Sequence, residues 1–206
     1  MDPQQPSAEL LLRTYARGIF PMVDPRTGAI GYYSPDPRGV IPLESFHVPR
    51  SLARLLAKHV FELRADTAFE RVIRACSESR PGRIDTWLDE RLIAAYVELH
   101  THGFAHSVEA WREHRLVGGL YGVQIGAAFF GESMFSRPEQ GGTDASKVCL
   151  VKLVETLRAA GFTLLDVQFA TAHLARFGCV EIPRERYITL LEAAIRRPAV
   201  WPLGGS

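Results

Sequence analysis

Residues 162–169 read FTLLDVQF, and this stretch decides the fold that we predict. Apolar residues dominate the run, and the polar residues Asp166 and Gln168 interrupt it, which is typical of a strand inside a sheet. Side chains alternate along a strand, so Asp166 and Gln168 share one face. Because a buried carboxylate without a partner is costly, Asp166 is either held by a structural partner such as an arginine or belongs to a functional site.

The segments around this strand predict helices packed on a sheet. Gly161 ends a helical pattern over residues 145–160, and Asp144 can cap the start of that helix. The other predicted elements are strands at 104–111, 116–123 and 127–135, and helices at 7–17, 51–59, 67–76, 89–103 and 184–196. Antiparallel strands followed by helix, strand and helix predict the α+β class, with helices packed on a mixed sheet.

The region near the N-terminus has a different character. Residues 19–49 contain six prolines, and proline fixes φ and removes a backbone donor. We therefore predict loops and short edge strands for this stretch. Residues 1–45 are interpreted as a small N-terminal lobe, and residues 46–206 as the larger domain.

Composition excludes several classes of protein. The 206 residues are 47% hydrophobic and 23% charged, which suits a globular protein. A net charge of +1 means that any RNA contact must come from a local patch. Such a patch is offered by Arg50, Arg54 and Lys58, which share one helix face, although a solvated face is the common alternative. Three separated cysteines and scattered histidines predict reduced thiols and no metal site.

The chain shows no signal peptide pattern and no apolar run of about 18 residues. We therefore expect a cytoplasmic protein that makes no membrane contact.

A second candidate for chemistry lies in residues 129–135, FFGESMF. Glu132 stands there among large apolar side chains, so it either binds a substrate amine or pairs with a structural arginine. The local pattern slightly favours the structural role. No P-loop, GxGxxG or GxSxG motif accompanies it.

Five segments, taken together, carry a resemblance to a known family. They are residues 15–21 (YARGIFP), 33–38 (YSPDPR), 105–111 (AHSVEAW), 131–136 (GESMFS) and 166–168 (DVQ). In this order they resemble the leucyl/phenylalanyl-tRNA–protein transferase family, over residues 8–195.

The resemblance implies a domain similar to the acyl-CoA N-acetyltransferase (GNAT) fold and a reaction without a cofactor. The implied substrates are leucyl-tRNA or phenylalanyl-tRNA and an acceptor protein with N-terminal Arg or Lys, which is thereby marked for degradation. Asp166, Gln168 and Glu132 would form the reaction centre.

The resemblance also implies the binding residues. Tyr15, Trp87 and Tyr96 would hold the terminal adenosine and the reacting groups. The pocket for the donor side chain would be lined by Leu120, Phe129, Met134, Leu153 and Leu165. Arg50, Arg54 and Lys58 fall in the tRNA-contacting stretch of the family. This chain departs from the family at Met22, where an aromatic residue is common.

The chemistry of these residues suggests their roles. An amide is barely basic, so we expect Gln168 to hold the incoming amine through its carbonyl oxygen, and Asp166 to act as proton sink or orienting anion. Replacing either by alanine is expected to lower transfer at nearly unchanged stability. The alternatives are an acetyl-CoA-dependent N-acetyltransferase, for which Gly141 and Gly142 do not complete the RxxGxG/A pattern, and a non-catalytic adaptor that binds tRNA or N-termini.

Overall fold

The computed structural model describes residues 4–78 and 88–202. The helices are α1 (Ala8–Tyr15), α2 (Arg50–Leu56), α3 (Phe69–Ser77), α4 (Glu90–Thr101), α5 (Ala145–Ala159), α6 (Ala172–Ala175) and α7 (Arg184–Arg196). The strands are β1 (Phe20–Val23), β2 (Ile30–Tyr33), β3 (Arg38–Val40), β4 (Glu62–Ala65), β5 (Ala105–Arg112), β6 (Arg115–Ile125), β7 (Ala128–Ser136), β8 (Leu164–Gln168) and β9 (Val180–Ile182).

Seven strands form one mixed sheet in the order β4-β5-β6-β7-β8-β3-β9. Strands β4 to β7 are antiparallel neighbours, and β8 lies parallel to β7 because helix α5 carries the chain back between them. The predicted α+β class with a mixed sheet is therefore confirmed, and β8 is an interior strand as its apolar pattern indicated.

Helices cover both faces of this sheet. One apolar layer joins the sheet to α1, α3, α4 and α7, and contains Leu11, Val72 and Leu92. The other layer joins the opposite face to α2 and α5, and contains Leu52 and Val151. Because both faces are covered, residues of either parity along β6 are buried.

Local capping explains where several helices begin. The side chain of Ser7 accepts from the Leu10 amide, and Asp89 accepts from the amides of Arg91 and Leu92, as predicted. Helix α3 has an alanine at its N-cap position and no side-chain cap, but a distant residue binds the chain just before it. The buried carboxylate of Glu109 on β5 accepts from the amides of Thr67 and Ala68. Glu109 therefore holds the turn that leads into α3.

The proline-rich region differs in part from the prediction. Strands β1 and β2 form a separate two-stranded sheet. Strand β3, however, lies between β8 and β9 inside the main sheet rather than at an edge. Three residues suffice for this pairing because both neighbouring strands are also short.

Two further details correct the sequence analysis. Asp144 occupies the N-cap position of α5, but its side chain pairs with Lys147 and caps no backbone amide. Lys58 lies beyond the end of α2, so it does not continue the helix face that holds Arg50 and Arg54. Within residues 4–78 and 88–202, no helix has the length and apolar character needed to cross a membrane.

Candidate active site

The site opens where two parallel strands stop pairing. The last register pair between β7 and β8 joins Phe130 to Asp166. Beyond this pair, a pocket of about 100 Å³ lies between the two strands and helix α5. Its lining includes Gly131 from β7 and Val167 from β8, which immediately follow the last pair. The end of the strand pairing therefore creates the cavity.

A β-bulge places Glu132 at this opening. In the pairing of β6 with β7, Tyr121 lies opposite Ser133 and Gly122 lies opposite Gly131, so Glu132 has no partner in the ladder. An extra residue in one strand bends that strand locally and redirects a side chain. Because of this bulge, Glu132 leaves the alternation of β7 and lines both the pocket and a second cleft.

The pocket is mostly apolar, and Tyr121, Glu132 and Ser133 are the polar residues of its lining. Four of the five residues expected to surround a donor side chain do line it, namely Leu120, Met134, Leu153 and Leu165. Phe129, the fifth, is not in the lining. It is fully buried in the core, where its ring stacks on Trp201 with centroids 5.6 Å apart. Leu150, Val167 and Leu174 complete the apolar wall.

Two buried tyrosines form a hydrogen-bonded chain that ends at Glu132. The Tyr15 and Tyr96 hydroxyls lie 2.6 Å apart, and the Tyr96 hydroxyl donates to Glu132 Oε2 over 3.2 Å. Neither tyrosine ring is exposed, so in this structure they contact the carboxylate rather than an open surface. Burial raises the pKa of the Glu132 carboxyl to about 8, against the smaller opposing effect of the tyrosine hydrogen bonds.

Asp166 is held on all sides by protein groups. Its oxygens accept from Arg38 Nε at 2.9 Å and Arg38 Nη2 at 2.6 Å, from the Tyr187 hydroxyl at 2.7 Å, and from the Gln168 amide at 2.9 Å. Both Asp166 and Arg38 have no exposed surface. Of the two roles expected for Asp166, proton sink and orienting anion, this arrangement favours the orienting anion. It also contradicts the expectation that Asp166 could be removed at nearly unchanged stability.

Gln168 ends β8 in an unusual backbone conformation. Its φ is +58°, in the left-handed region, and the Phe169 amide donates to the Val167 carbonyl over 2.6 Å in a tight turn around it. The turn packs closely on β3, where a Cβ at Gly39 would lie 2.5 Å from the Phe169 carbonyl carbon. The turn directs the Gln168 side-chain amide to Glu132 Oε1 at 3.2 Å.

A small cleft of about 70 Å³ lies beside this amide. It is lined by Phe20, Met22, Glu132, Gln168 and Phe169. Phe169 is 49% exposed and meets Phe20 edge to face, with ring centroids 5.9 Å apart. The cleft therefore combines an aromatic wall with the Glu132 carboxylate and the Gln168 amide.

The remaining expected site residues lie elsewhere. Arg50, Arg54 and Lys58 are exposed on and just after α2, and none of them lines the pocket or the cleft. Trp87 falls outside the described residues. Among the described residues, no group of three or more His, Cys, Asp or Glu side chains could hold a metal ion.

Sequence reasoning missed three residues at this site. Arg38 and Tyr187 were not assigned to it, although Arg38 closes the distinctive 33–38 segment. Phe169 was treated as an ordinary strand residue. No periodicity marks a buried arginine, because its burial depends on a carboxylate 128 positions away.

An apolar pocket and a polar cleft therefore meet at one carboxylate, an arrangement that can hold the two substrates of a transferase side by side. The family comparison then gives the particular family. Residues 40–192 match the family model described as leucyl/phenylalanyl-tRNA protein transferase, and residues 4–36 match the model of its N-terminal domain. The chain belongs to the leucyl/phenylalanyl-tRNA–protein transferase family.

Individual relatives agree with this assignment. The chain is 57% identical over 190 residues to a protein of Phenylobacterium zucineum strain HLK1, covering 92% of this chain and 84% of that protein. It is 53% identical over 194 residues to one of Paramagnetospirillum magneticum, covering 94% and 91%. Both are called leucyl/phenylalanyl-tRNA–protein transferase.

Solved structures show weaker likenesses. A ribosomal-protein-alanine N-acetyltransferase from Brucella melitensis biovar Abortus 2308 has a TM-score of 0.40 at 13% identity, covering 57% of this chain and 86% of that one. L-PGS from Bacillus licheniformis has a TM-score of 0.41 at 14% identity, covering 81% and 55%. TM-scores of this size are too low to argue from.

Proposed function

We propose that the protein transfers leucine or phenylalanine from its tRNA to the N-terminal amine of an acceptor protein that begins with Arg or Lys. The observation that carries this proposal is the position of Glu132. This carboxylate lines both the apolar pocket and the polar cleft. A donor side chain in the pocket and an amine in the cleft would therefore meet at the same group.

The pocket supports an apolar donor. Most of its wall is aliphatic and includes Leu120, Met134, Leu153 and Leu165, which offer nothing to a hydroxyl or a charge. An apolar pocket separates side chains by size only modestly, by about 1–3 kcal/mol per methylene. Leucine would be preferred, and phenylalanine and methionine would be accepted because Met134 is flexible enough to repack.

The cleft supports a basic acceptor. The charge of Asp166 is balanced by Arg38, so Glu132 is the carboxyl group of this pair that would attract a cationic N-terminus, in the fraction of molecules in which it is ionised. The Gln168 amide nitrogen donates to Glu132, which leaves the Gln168 carbonyl oxygen to accept from the incoming amine. The exposed ring of Phe169 provides an apolar side to the same cleft.

The reaction needs orientation more than activation. The donor is an ester and the product is an amide, so transfer runs downhill. The amine nitrogen forms a bond to the ester carbonyl carbon, and the bond from that carbon to the ribose oxygen breaks. The amine loses a proton and the ribose oxygen gains one. An α-amine has a pKa of about 7.7–8.0, so part of it is neutral near pH 7.

Glu132 suits the transfer of that proton. Burial raises its pKa to about 8, close to that of the amine, so the proton can move to Glu132 with little free-energy cost. The same group can return the proton to the leaving ribose oxygen. Asp166, paired with Arg38 and Tyr187, would hold the centre in place rather than exchange protons.

The loop before α5 argues against acetyl-CoA as the donor. An acetyltransferase would use free backbone amides at this helix start to bind a pyrophosphate. Here the Ser146 amide donates to the Ser136 hydroxyl at 2.9 Å. A Cβ at Gly142 would lie 2.3 Å from the Val117 carbonyl oxygen, so the loop is already packed against the sheet. Asp144 adds a negative charge at the same place.

The tRNA body would contact the exposed residues of α2 and the turn after it. Arg50 and Arg54 lie one helical turn apart and are both exposed, and Lys58 follows at the turn. Cations in such an arrangement can follow a phosphate backbone. Such a reaction would take place in the cytoplasm, where it would mark the acceptor for degradation.

One assay separates this proposal from its alternatives. Purified protein is incubated with labelled leucyl-tRNA or labelled acetyl-CoA and a peptide that begins with Arg. Label from leucyl-tRNA should enter the peptide, whereas label from acetyl-CoA should not. An N-acetylated peptide and a peptide beginning with Glu are the controls, and both should remain unlabelled. Binding of tRNA without any product would instead identify an adaptor.

A further inference from the structure

A buried arginine links the N-terminal region to the reaction centre. Arg38 on β3 has no exposed surface, and its Nη1 donates to the carbonyl of Gly18 at 2.8 Å, just before β1. Its guanidinium lies 5.0 Å from the Phe20 ring centroid and 4.5 Å from that of Tyr187. The other two nitrogens donate to the two oxygens of Asp166.

The Asp166 oxygen that accepts from Arg38 Nε also holds Gln168. Oδ1 accepts from the Gln168 backbone amide at 2.9 Å, two residues further along β8. The left-handed conformation of Gln168 is unfavourable for a residue other than glycine. The hydrogen bond to Asp166 and the tight turn at Phe169 offset that cost and hold Gln168 in place.

We propose that Arg38 is a positioning residue for the transfer reaction. Its planar guanidinium fixes both oxygens of Asp166, Asp166 fixes the backbone of Gln168, and Gln168 in turn reaches Glu132. This inference rests on the proposed function, because transfer is the activity through which it is measured.

The geometry requires an arginine specifically. Two parallel hydrogen bonds define the rotation of the Asp166 carboxylate, and one ammonium group cannot reproduce both. If the carboxylate turns, Oδ1 moves away from the Gln168 amide and the left-handed turn loses its support. A displacement of about 1 Å at reacting groups can cost on the order of a hundredfold in rate.

Arg38 also acts on the centre through its charge. Asp166 raises the pKa of Glu132, and the positive charge of Arg38 opposes that effect. Lysine would keep this charge while losing the paired hydrogen bonds, so Arg38→Lys separates the positioning role from the electrostatic one.

Arg91 offers a matched control. It too pairs with a carboxylate, Asp89, at 2.6 Å, and donates to a carbonyl of the N-terminal region, that of Gly28, at 2.6 Å. Its hydrogen bonds go to Asp89, Gln4 and Gly28, and none of these is a residue of the proposed reaction centre. Arg91→Lys therefore perturbs the attachment of the same region without touching Asp166.

The test measures kcat and the KM for leucyl-tRNA in the wild type, Arg38→Lys and Arg91→Lys, each corrected for its folded fraction by circular dichroism. Arg38→Lys should lower kcat about tenfold or more, while the KM for leucyl-tRNA and the pH dependence of kcat stay nearly unchanged. Arg91→Lys should have the same kcat and KM as the wild type. Wild-type kcat in Arg38→Lys, or an equal loss in both variants, would overturn the inference.

A second variant covers the case in which Arg38→Lys does not fold. Tyr187→Phe removes one donor to Asp166 and leaves the ion pair in place. It should lower kcat about threefold, a smaller loss of orientation, without raising the KM. An unchanged kcat would then count against the positioning role. Absence of transfer by the wild-type protein would instead refute the proposed function.

Discussion

Replacement of Asp166 by alanine should destabilise the protein strongly, as well as reduce transfer. The change removes the acceptor of four hydrogen bonds, two from Arg38, one from Tyr187 and one from the Gln168 amide. Arg38 is fully buried, so water cannot replace the lost carboxylate without opening the structure. The buried cation that remains is the main source of the loss.

The size of the loss follows from this burial. Breaking a buried ion pair by removing one partner costs about 3–5 kcal/mol. For a chain of this length, each kcal/mol lowers Tm by about 2–4 °C, so we expect a fall of roughly 6–20 °C. Gln168→Ala should behave differently. Its side chain makes one recorded hydrogen bond, to Glu132, and a lost hydrogen bond costs about 0.5–1.5 kcal/mol.

The assay is urea unfolding followed by circular dichroism, within a double-mutant cycle. Arg38→Met/Asp166→Ala removes both charges and leaves no unpaired ion in the core. Its loss in the free energy of unfolding should therefore be smaller than the sum of the losses in the two single variants, by about 1–3 kcal/mol. Glu70→Ala serves as a control, because its pair with Arg74 is exposed and is worth less than about 1 kcal/mol. Activity is then compared at equal folded fraction.

Two results would refute this reasoning. A loss below about 1 kcal/mol for Asp166→Ala would mean that the ion pair contributes far less than its burial implies. Additive losses in the double variant would mean that Arg38 and Asp166 do not depend on each other.

Three further predictions concern Glu132, the apolar pocket and the exposed cations of α2. Glu132 should make kcat rise as pH increases through about 8, and Glu132→Gln should lower kcat and leave only the shallower rise of the acceptor amine, whose own pKa is about 7.7–8.0. The folded state holds the Glu132 proton more tightly than the unfolded chain does, so the thermal stability of the wild type should fall as pH rises from 4.5 to about 8. If Glu132→Gln shows the same fall, the raised pKa does not belong to Glu132. Met134→Ala should raise the use of phenylalanine relative to leucine in a competition between aminoacyl-tRNAs, and isoleucine should be a poor donor because of its bulk at Cβ; unchanged ratios would show that the pocket is misassigned. Changing Arg50, Arg54 and Lys58 to alanine should flatten the salt dependence of tRNA affinity by roughly 0.7–0.9 in log–log slope per lost contact, and an unmoved slope would mean that they are a solvated face.

Local signals in the sequence were enough for most elements. Helix α7 runs from Arg184 to Arg196, as predicted, and Ser7 and Asp89 cap their helices. The mixed sheet and the interior strand β8 followed from apolar patterns and from the order of elements. These features depend on residues a few positions apart, so they can be predicted from the sequence alone.

Short segments in a fixed order also indicated the family, and the resemblance to that family implied the lining residues Leu120, Met134, Leu153 and Leu165. The structure brings these four together in one lining. It leaves Phe129 in the core, because whether an inward-facing residue reaches a cavity depends on where strand pairing ends.

The chemistry of the centre was decided by tertiary structure. Glu132 reaches both cavities because of a bulge in its pairing with β6, and its pKa rises because the surrounding elements bury it. Arg38 lies in an interior strand only through pairing with β8 and β9, and it meets Asp166 across 128 positions of sequence. Long-range pairing and burial have no local pattern in the chain, so the buried ion pair and the turn at Gln168 became visible only in the folded protein.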